Sequence, residues 1–420
     1  MRVKRCALGF SAALAFCVLS GAANPTLPVG TWVKIQPTGN TNACTDLQFD
    51  PANPTTLWAA LGNDGIYKST DGGSNWVKRG DFSSFGRVRV DPANPDHLYY
   101  IGSVLGALGF FVTTDGGANW AVPAAFTAGA SKWTNDMYNM AVDPTDFKHV
   151  IFSSHSGWTG FGGTDAGVLE TKDGGATFIA HDPVAGMDHG QGIAFLFDPA
   201  KGIGNSNTWL LGAGYSTGLF RTTDGGASWT KVSSTIQDNH GGFDLHYSSA
   251  TGYAYIGGYN GLYRSTDNGV TWTTVLASVG GWYSSVIGDG KHLYSGQSFV
   301  GVTYDLPFLQ TAEGGGENEG TTWSNMSAQT LPEGPWRMVY DAVNHIIYAA
   351  TWSGGAWALQ TDGTNDSTAT SIAYPVARKA IAGQKEMGYS VGIVHDRVVI
   401  SSGPSTQPNV YYDVKGALTR

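Results

Sequence analysis

One eight-residue phrase recurs along the chain, and its recurrence limits what the chain can fold into. Ser69-Thr-Asp-Gly-Gly-Ser-Asn-Trp76 returns as TTDGGANW at 113–120, TKDGGATF at 171–178, TTDGGASW at 222–229 and STDNGVTW at 265–272. A worn copy, ENEGTTW, lies at 317–323 and a stub, QTDG, at 360–363. The aspartates of the five clear copies (Asp71, Asp115, Asp173, Asp224 and Asp267) are spaced by roughly 43–58 residues, the length of one propeller blade. The local chemistry is that of a hairpin turn. Glycines supply positive φ, the carboxylate accepts turn N–H groups, and the closing Trp or Phe covers the hairpin.

These motifs resemble the Asp-box (BNR) repeats of secreted propellers: sialidases, xyloglucanase-type glycoside hydrolases and sortilin-like ectodomains. The resemblance spans most of the chain and implies an all-β propeller. It leaves the activity open, because the box is a fold-back shared by unrelated functions.

Between the boxes, short runs rich in Val, Ile, Tyr and Phe alternate with Gly/Pro/Asn punctuation, four runs per repeat. Inner strands fall near residues 46, 88, 138, 192, 243, 284, 337 and 390. The expectation is one propeller domain over 24–420 with eight four-stranded antiparallel blades; seven, with 360–390 as an insertion, is the alternative. Gly30–Ile35 reads like an outer strand, and it is expected to close the ring by pairing with the C-terminal strands at 389–414. That pairing would remove both free sheet edges.

Residues 1–23 read as a signal peptide, with Arg2, Lys4 and Arg5 ahead of an apolar run and small residues at 21–23. An exported protein follows, extracellular or periplasmic. The leader carries three basic and no acidic residues, so without it the net charge of −9 becomes −12. That balance disfavours nucleic acid and anionic membrane surfaces as partners, and no later run is long enough to span a bilayer. Of three cysteines only Cys44 lies beyond the leader, which excludes an internal disulfide. A monomer without a cofactor is expected.

The topology sorts the polar residues. The Asp boxes and the Asp-Pro turns at Asp50, Asp91, Asp143 and Asp198 share one end of the propeller and are structural. The other end receives the loops that differ between blades, where function is expected. Three constellations lie there. The first is His155, His189 and His240 with Tyr138, Tyr215 and Tyr259, a set suited to acid–base β-elimination, to holding a metal, or to repeated turn structure. The second is a group of carboxylates, Asp64, Asp136, Asp165, Asp188, Asp238, Glu333 and Glu386. Asp136 with Asp188 or Asp238, facing Glu333, is the favoured pair for glycoside hydrolysis. The third is an aromatic rim of Trp133, Trp158, Trp282, Tyr283, Trp336 and Trp352, suited to stacking on sugar faces, with part of it plugging blade gaps instead.

The family resemblances sharpen this. The xyloglucanase-type enzymes place a catalytic Asp after the second strand of their first blade. Aligned on Leu57 and Tyr67, Gly62 occupies that place here and Asp64 comes two residues later. Sialidases need three converging arginines and an early Phe/Tyr-Arg-Ile-Pro motif; the motif is absent, and Arg87 and Arg337 are the main candidates at the variable end. The reading is therefore a secreted carbohydrate-active enzyme, a glycoside hydrolase first and a polysaccharide lyase second, with a non-catalytic glycan-binding propeller as the third possibility.

Overall fold

The computed structural model describes residues 27–82, 85–103, 109–129, 133, 137–158, 165–196, 206–214, 218–238, 242–298, 308–326, 331, 333–352, 354–361, 389–394, 397–402, 410–412 and 418–419. The chain divides into two compact units, 1–376 and 377–420.

The first unit is an all-β propeller of seven blades. Blade one shows the pattern: Cys44–Asp50 innermost, then Asn53–Leu61, Gly65–Ser69 and Val77–Gly80, each antiparallel to the last. The inner strands of blades two to four and six to seven are Phe85–Asp91, Met137–Asp143, Gly190–Phe195, Val286–Gly288 and Arg337–Asp341. Blade five departs from the rule. Its inner strand is only His246–Tyr247, paired to a twelve-residue run, Ala254–Ser265, that also pairs with Thr273–Trp282. Among the described residues the one α-helix is the short Ala124–Gly129, and no helix is long and apolar enough to cross a membrane.

Closure differs from the expectation. Trp32–Lys34 is the fourth strand of blade seven and pairs with Gly355–Gln360, Val33 opposite Ala358. It does not pair with the strands after 389. Those strands, Tyr389–Val394, Arg397–Ser402, Val410–Tyr412 and Leu418–Thr419, make a four-stranded sheet of their own in the second unit. The seven-blade alternative therefore holds. The physical reason is that Trp32 has a hydrophobic slot beside Gly355–Gln360. Trp32 is 2 % exposed and packs edge-on to Phe308 at 5.0 Å.

The core is distributed between blades. Seven apolar clusters among the described residues fill the seven blade interfaces, from Leu47, Leu57 and Ala59 against Tyr348 and Ala350 round to Ile287 and Phe308 against Met338 and Ile347. Alternation along each strand sends one set of side chains to each neighbouring blade. A buried side chain such as Leu57 or Phe152 contributes about 1.5–3 kcal/mol.

The boxes fold as the repeat implies and also staple neighbouring blades. Ser69 Oγ donates to Asp71 Oδ1 (2.8 Å) and accepts from Gly73 N–H (2.9 Å), while Asn75 N–H reaches Asp71 Oδ1 (2.8 Å). Gly72 and Gly73 hold φ of 67° and 91°, which a side chain would strain. The closing indole then reaches outward. Trp120 Nε1 donates to Arg79 O of the preceding blade (2.7 Å), and Trp76 Nε1 to Ile35 O (2.6 Å).

Candidate functional site

Where the inner strands begin, charged side chains from several blades meet across the ring. Gly242–Asp244, which would extend blade five's inner strand, instead lies across the axis. Gly242 has φ +81° and sits so close to Asn139 of blade three and Gly192 of blade four that a Cβ would fall 2.4 Å from Asn139 Nδ2. Phe243 O accepts from Arg87 Nη2 of blade two (3.3 Å), and Asp244 Oδ1 accepts from Arg87 Nη1 at 2.6 Å. Asp244 N–H donates to Ser284 O of blade six (3.1 Å), and Ser285 Oγ donates to Asp244 Oδ2 (3.3 Å). Arg337 of blade seven places Nε 3.7 Å from the same carboxylate.

Both guanidiniums are buried, at 4 % and 2 % exposure for Arg87 and Arg337. Burial lowers the pKa of each; for Arg337, with Arg87 nearby adding to the effect, it is pushed down to about 9. Burial pushes Asp244 up, but Arg337 and Arg87 outweigh it and hold the carboxyl below its usual range. Asp244 was not among the residues singled out in the sequence. Its signal was positional: Asp46, Arg87, Asn139, Asp244 and Arg337 all fall where inner strands begin, a polar column on otherwise apolar strands.

The second gathering lies on blades three and four. Asp165 and Asp188 face each other as an antiparallel bridge, flanked by Ala166 N–H to Met187 O (3.0 Å). Asp188 Oδ1 bonds His189 Nδ1, and about a quarter of each side chain is exposed (24 % and 23 %). His155 brings its ring to 6.2 Å from that of His189. His189 has φ +46°, a left-handed conformation uncommon for a residue with a Cβ and enriched where function constrains the backbone. Gly214 N–H pins it through His189 O (3.0 Å). Four groups able to carry a proton thus share one partly open corner.

The remaining expected residues scatter. Asp238 is 1 % exposed, and its carboxylate accepts Gly192 N–H at 2.5 Å, tying blade five's loop to blade four. Glu333 is 2 % exposed ahead of blade seven's inner strand. Trp133 and Trp158, expected as stacking platforms, lie in the core between blades two and three, at 7 % and 0 % exposure. Neither ring offers a face to a sugar there. Two half-open aromatic pairs are left: Tyr259 with Trp282 (ring centroids 4.6 Å apart), and Trp352 against the buried Trp336 (4.9 Å), over which Arg337 lies at 5.1 Å. Asp136, Tyr215 and His240 lie outside the described residues, as does the side chain of Tyr138. Among the described residues no group of three His, Cys, Asp or Glu is placed to hold a metal ion.

No protein-family model matches the chain. In sequence it is similar to the oligoxyloglucan-reducing end-specific xyloglucanase of Emericella nidulans, 31 % identical over 199 residues, covering 43 % of this chain and 23 % of that protein. In structure it is similar to the GH74 xyloglucanase of Xanthomonas campestris, with a TM-score of 0.57 and 18 % identity over 79 % of this chain and 53 % of that one. It is also similar to YCF48 from Cyanidioschyzon merolae, with a TM-score of 0.54 and 13 % identity over 78 % of this chain and 98 % of that one. The chain spans about half the length of the xyloglucanase structure and about a quarter of the curated relative. It is a seven-bladed β-propeller with a xyloglucanase among its sequence relatives.

Proposed function

We propose that the chain is an exported glycoside hydrolase acting on a neutral or weakly charged polysaccharide, with Asp165 and Asp188 as its carboxylate pair. The observation that carries this is their antiparallel bridge at the loop-bearing end of the ring. Residues directly opposite in such a bridge hold their Cβ atoms about 4.5–5.5 Å apart. Retaining glycosidases hold their two carboxyl groups about 5–5.5 Å apart, and inverting ones wider. Two aspartates of equal length leaving Cβ atoms that close put their carboxyls in that range when they run side by side, so retention of configuration is the outcome the proposal predicts.

In that chemistry Asp188, held in place by His189, attacks the anomeric carbon. Asp165 gives its proton to the departing glycosidic oxygen as the C–O bond breaks. Water, deprotonated by Asp165, then cleaves the glycosyl ester and restores both groups. Tyr259, Trp282 and Trp352 are the stacking surfaces for neighbouring sugar units. The xyloglucanase relative supports the substrate class, and the leader at 1–23 supports export.

The Asp188–His189 contact with His155 beside it favours one second reading, β-elimination from a uronic-acid polymer with His189 as base. Parallel assays of reducing ends and of the ultraviolet absorbance of an unsaturated product separate the two. Hydrolysis gives the first alone and is lost in Asp188→Asn and Asp165→Asn. Elimination gives both and is lost in His189→Ala. Retention on an affinity gel without either product would place the chain among non-catalytic glycan-binding propellers.

A further inference from the structure

The segment that links the closing strand of blade seven to the inner strand of blade one does not lie flat on the blade. It leaves a cavity of about 460 Å³, lined by Pro37, Thr38, Gly39 and Asn40 on one side and Tyr67, Ser74, Asn75 and Trp76 on the other. We infer that this cavity is a binding site for one neutral pyranose unit of a glycan, separate from the Asp165–Asp188 corner.

Three observations carry the inference. The first is size: ligand pockets span about 300–1,000 Å³, and this one falls within that range. The second is the pairing of aromatic and polar surface. Tyr67 and Trp76 are half-buried and pack against the core between blades seven and one, so each ring is backed by protein where it borders the cavity. Trp76 cannot swing away, because its Nε1 donates to Ile35 O (2.6 Å) and Gly73 O (2.9 Å). Rigid rings beside hydroxyls and amides suit a sugar, whose C–H face stacks while its hydroxyls seek partners.

The third observation is charge. No charged side chain is among the lining residues, and the nearby Asp64 is already engaged by Lys78 Nζ (2.9 Å), Tyr67 OH (2.8 Å) and Asn40 Nδ2. The hydroxyls of Thr38 and Ser74 and Asn75 Oδ1 take no protein partner among the described residues, while Asn75 Nδ2 is spent on Asp71 (2.7 Å). What the cavity presents is hydroxyls and a carbonyl, which exchange hydrogen bonds with sugar hydroxyls, and no cation to pair with a carboxylate or a phosphate. The Pro37–Asn40 turn, closed by Asn40 N–H to Pro37 O (3.0 Å), stands off the box because Gly39 takes φ +78° with open space around it.

The test is calorimetric titration of the full chain with cellotetraose, xylotetraose, mannotetraose and tetragalacturonate, in the native protein and in Ser74→Trp and Thr38→Trp. Both positions are exposed, and an indole at either fills the cavity. The expected result is binding of at least one neutral tetrasaccharide, weakened tenfold or more in each variant. The melting temperature and any polysaccharide cleavage should stay unchanged. Absence of neutral binding, binding of tetragalacturonate alone, or undiminished binding in both variants overturns the inference. Because cleavage is read separately, loss of activity at Asp188 and loss of binding at Ser74 report on different sites.

Discussion

Arg87 and Asp244 meet across the propeller axis, Nη1 to Oδ1 at 2.6 Å, although 157 residues separate them and they belong to blades two and five. The contact joins opposite sides of the ring, and Arg337 brings in a third blade. Removing one member of a buried charge pair leaves the other uncompensated, at a cost of about 3–5 kcal/mol. Asp244→Asn should destabilise the propeller by about that amount in urea unfolding. Asp244→Asn combined with Arg87→Met should recover part of the loss. A single variant as stable as the native chain would show that the pair does not hold the ring.

A second set of charges, at the end of blade three that carries the boxes, gives the fold a pH signature. His149 is 5 % exposed and sits between Asp143 (3.1 Å from Nδ1) and Glu170 (2.7 Å from Nε2), while Glu170 also meets His181 (2.9 Å) and Lys172 (3.2 Å). Burial works against the imidazolium, but Asp143 and Glu170 outweigh it and raise His149 above its ordinary 6.5. Burial raises Glu170, but His149, His181 and Lys172 outweigh it and bring the carboxyl from 4.5 down to about 2. The His149 contribution is therefore complete below pH 6.5 and fades as pH rises through its folded value. The Glu170 contribution is complete above pH 4.5 and fades as pH falls toward 2. His149→Gln should thus cost most stability between those two limits and progressively less above neutrality. A penalty that grows with alkalinity would contradict the arrangement.

Each box hangs on a hydroxyl as much as on its aspartate. Thr113 is 2 % exposed; its Oγ1 donates to Asp115 (2.8 Å) and accepts Gly117 N–H (3.1 Å). Thr113→Val keeps the shape and leaves that N–H without its partner, a loss of about 1–3 kcal/mol. Thr113→Ser should stay close to native in thermal unfolding.

The tryptophans divide by burial. Trp158→Ala should cost about 3–5 kcal/mol as a core truncation. Trp352→Ala and Trp282→Ala should leave melting within about 1 kcal/mol of native and raise KM for polymer several-fold with a smaller change in kcat. Equal melting losses at all three positions would remove the distinction.

The propeller was legible because its signals are local. Box glycines, box hydroxyls and alternating strands each act within a dozen residues, so the repeat can be read without knowing what lies across the ring. Closure was not local. Trp32–Lys34 looks like an outer strand, but its sequence cannot say whether Gly355–Gln360 or Val410–Tyr412 offers the edge it joins. Blade five's inner strand was expected near 243, and Gly242, with φ +81°, is what lets that stretch leave the sheet and cross the axis. Asp165 and Asp188 were both visible as loop acids, yet only the fold shows them opposite one another. Trp133 and Trp158 read as rim aromatics because their loops are at the rim; the chain folds both into the core between blades two and three, Trp133 against Phe126 and Phe178.

The most direct measurement is incubation of the purified chain with xyloglucan and other neutral β-linked polysaccharides, following reducing ends and ultraviolet absorbance together. A retaining hydrolase at the Asp165–Asp188 corner gives new reducing ends, no absorbance and initial products of unchanged anomeric configuration. Its rate should fall by about 100-fold or more in Asp188→Asn and in Asp165→Asn at native melting temperature. Undiminished cleavage in both variants, or absorbing products lost only in His189→Ala, would contradict it.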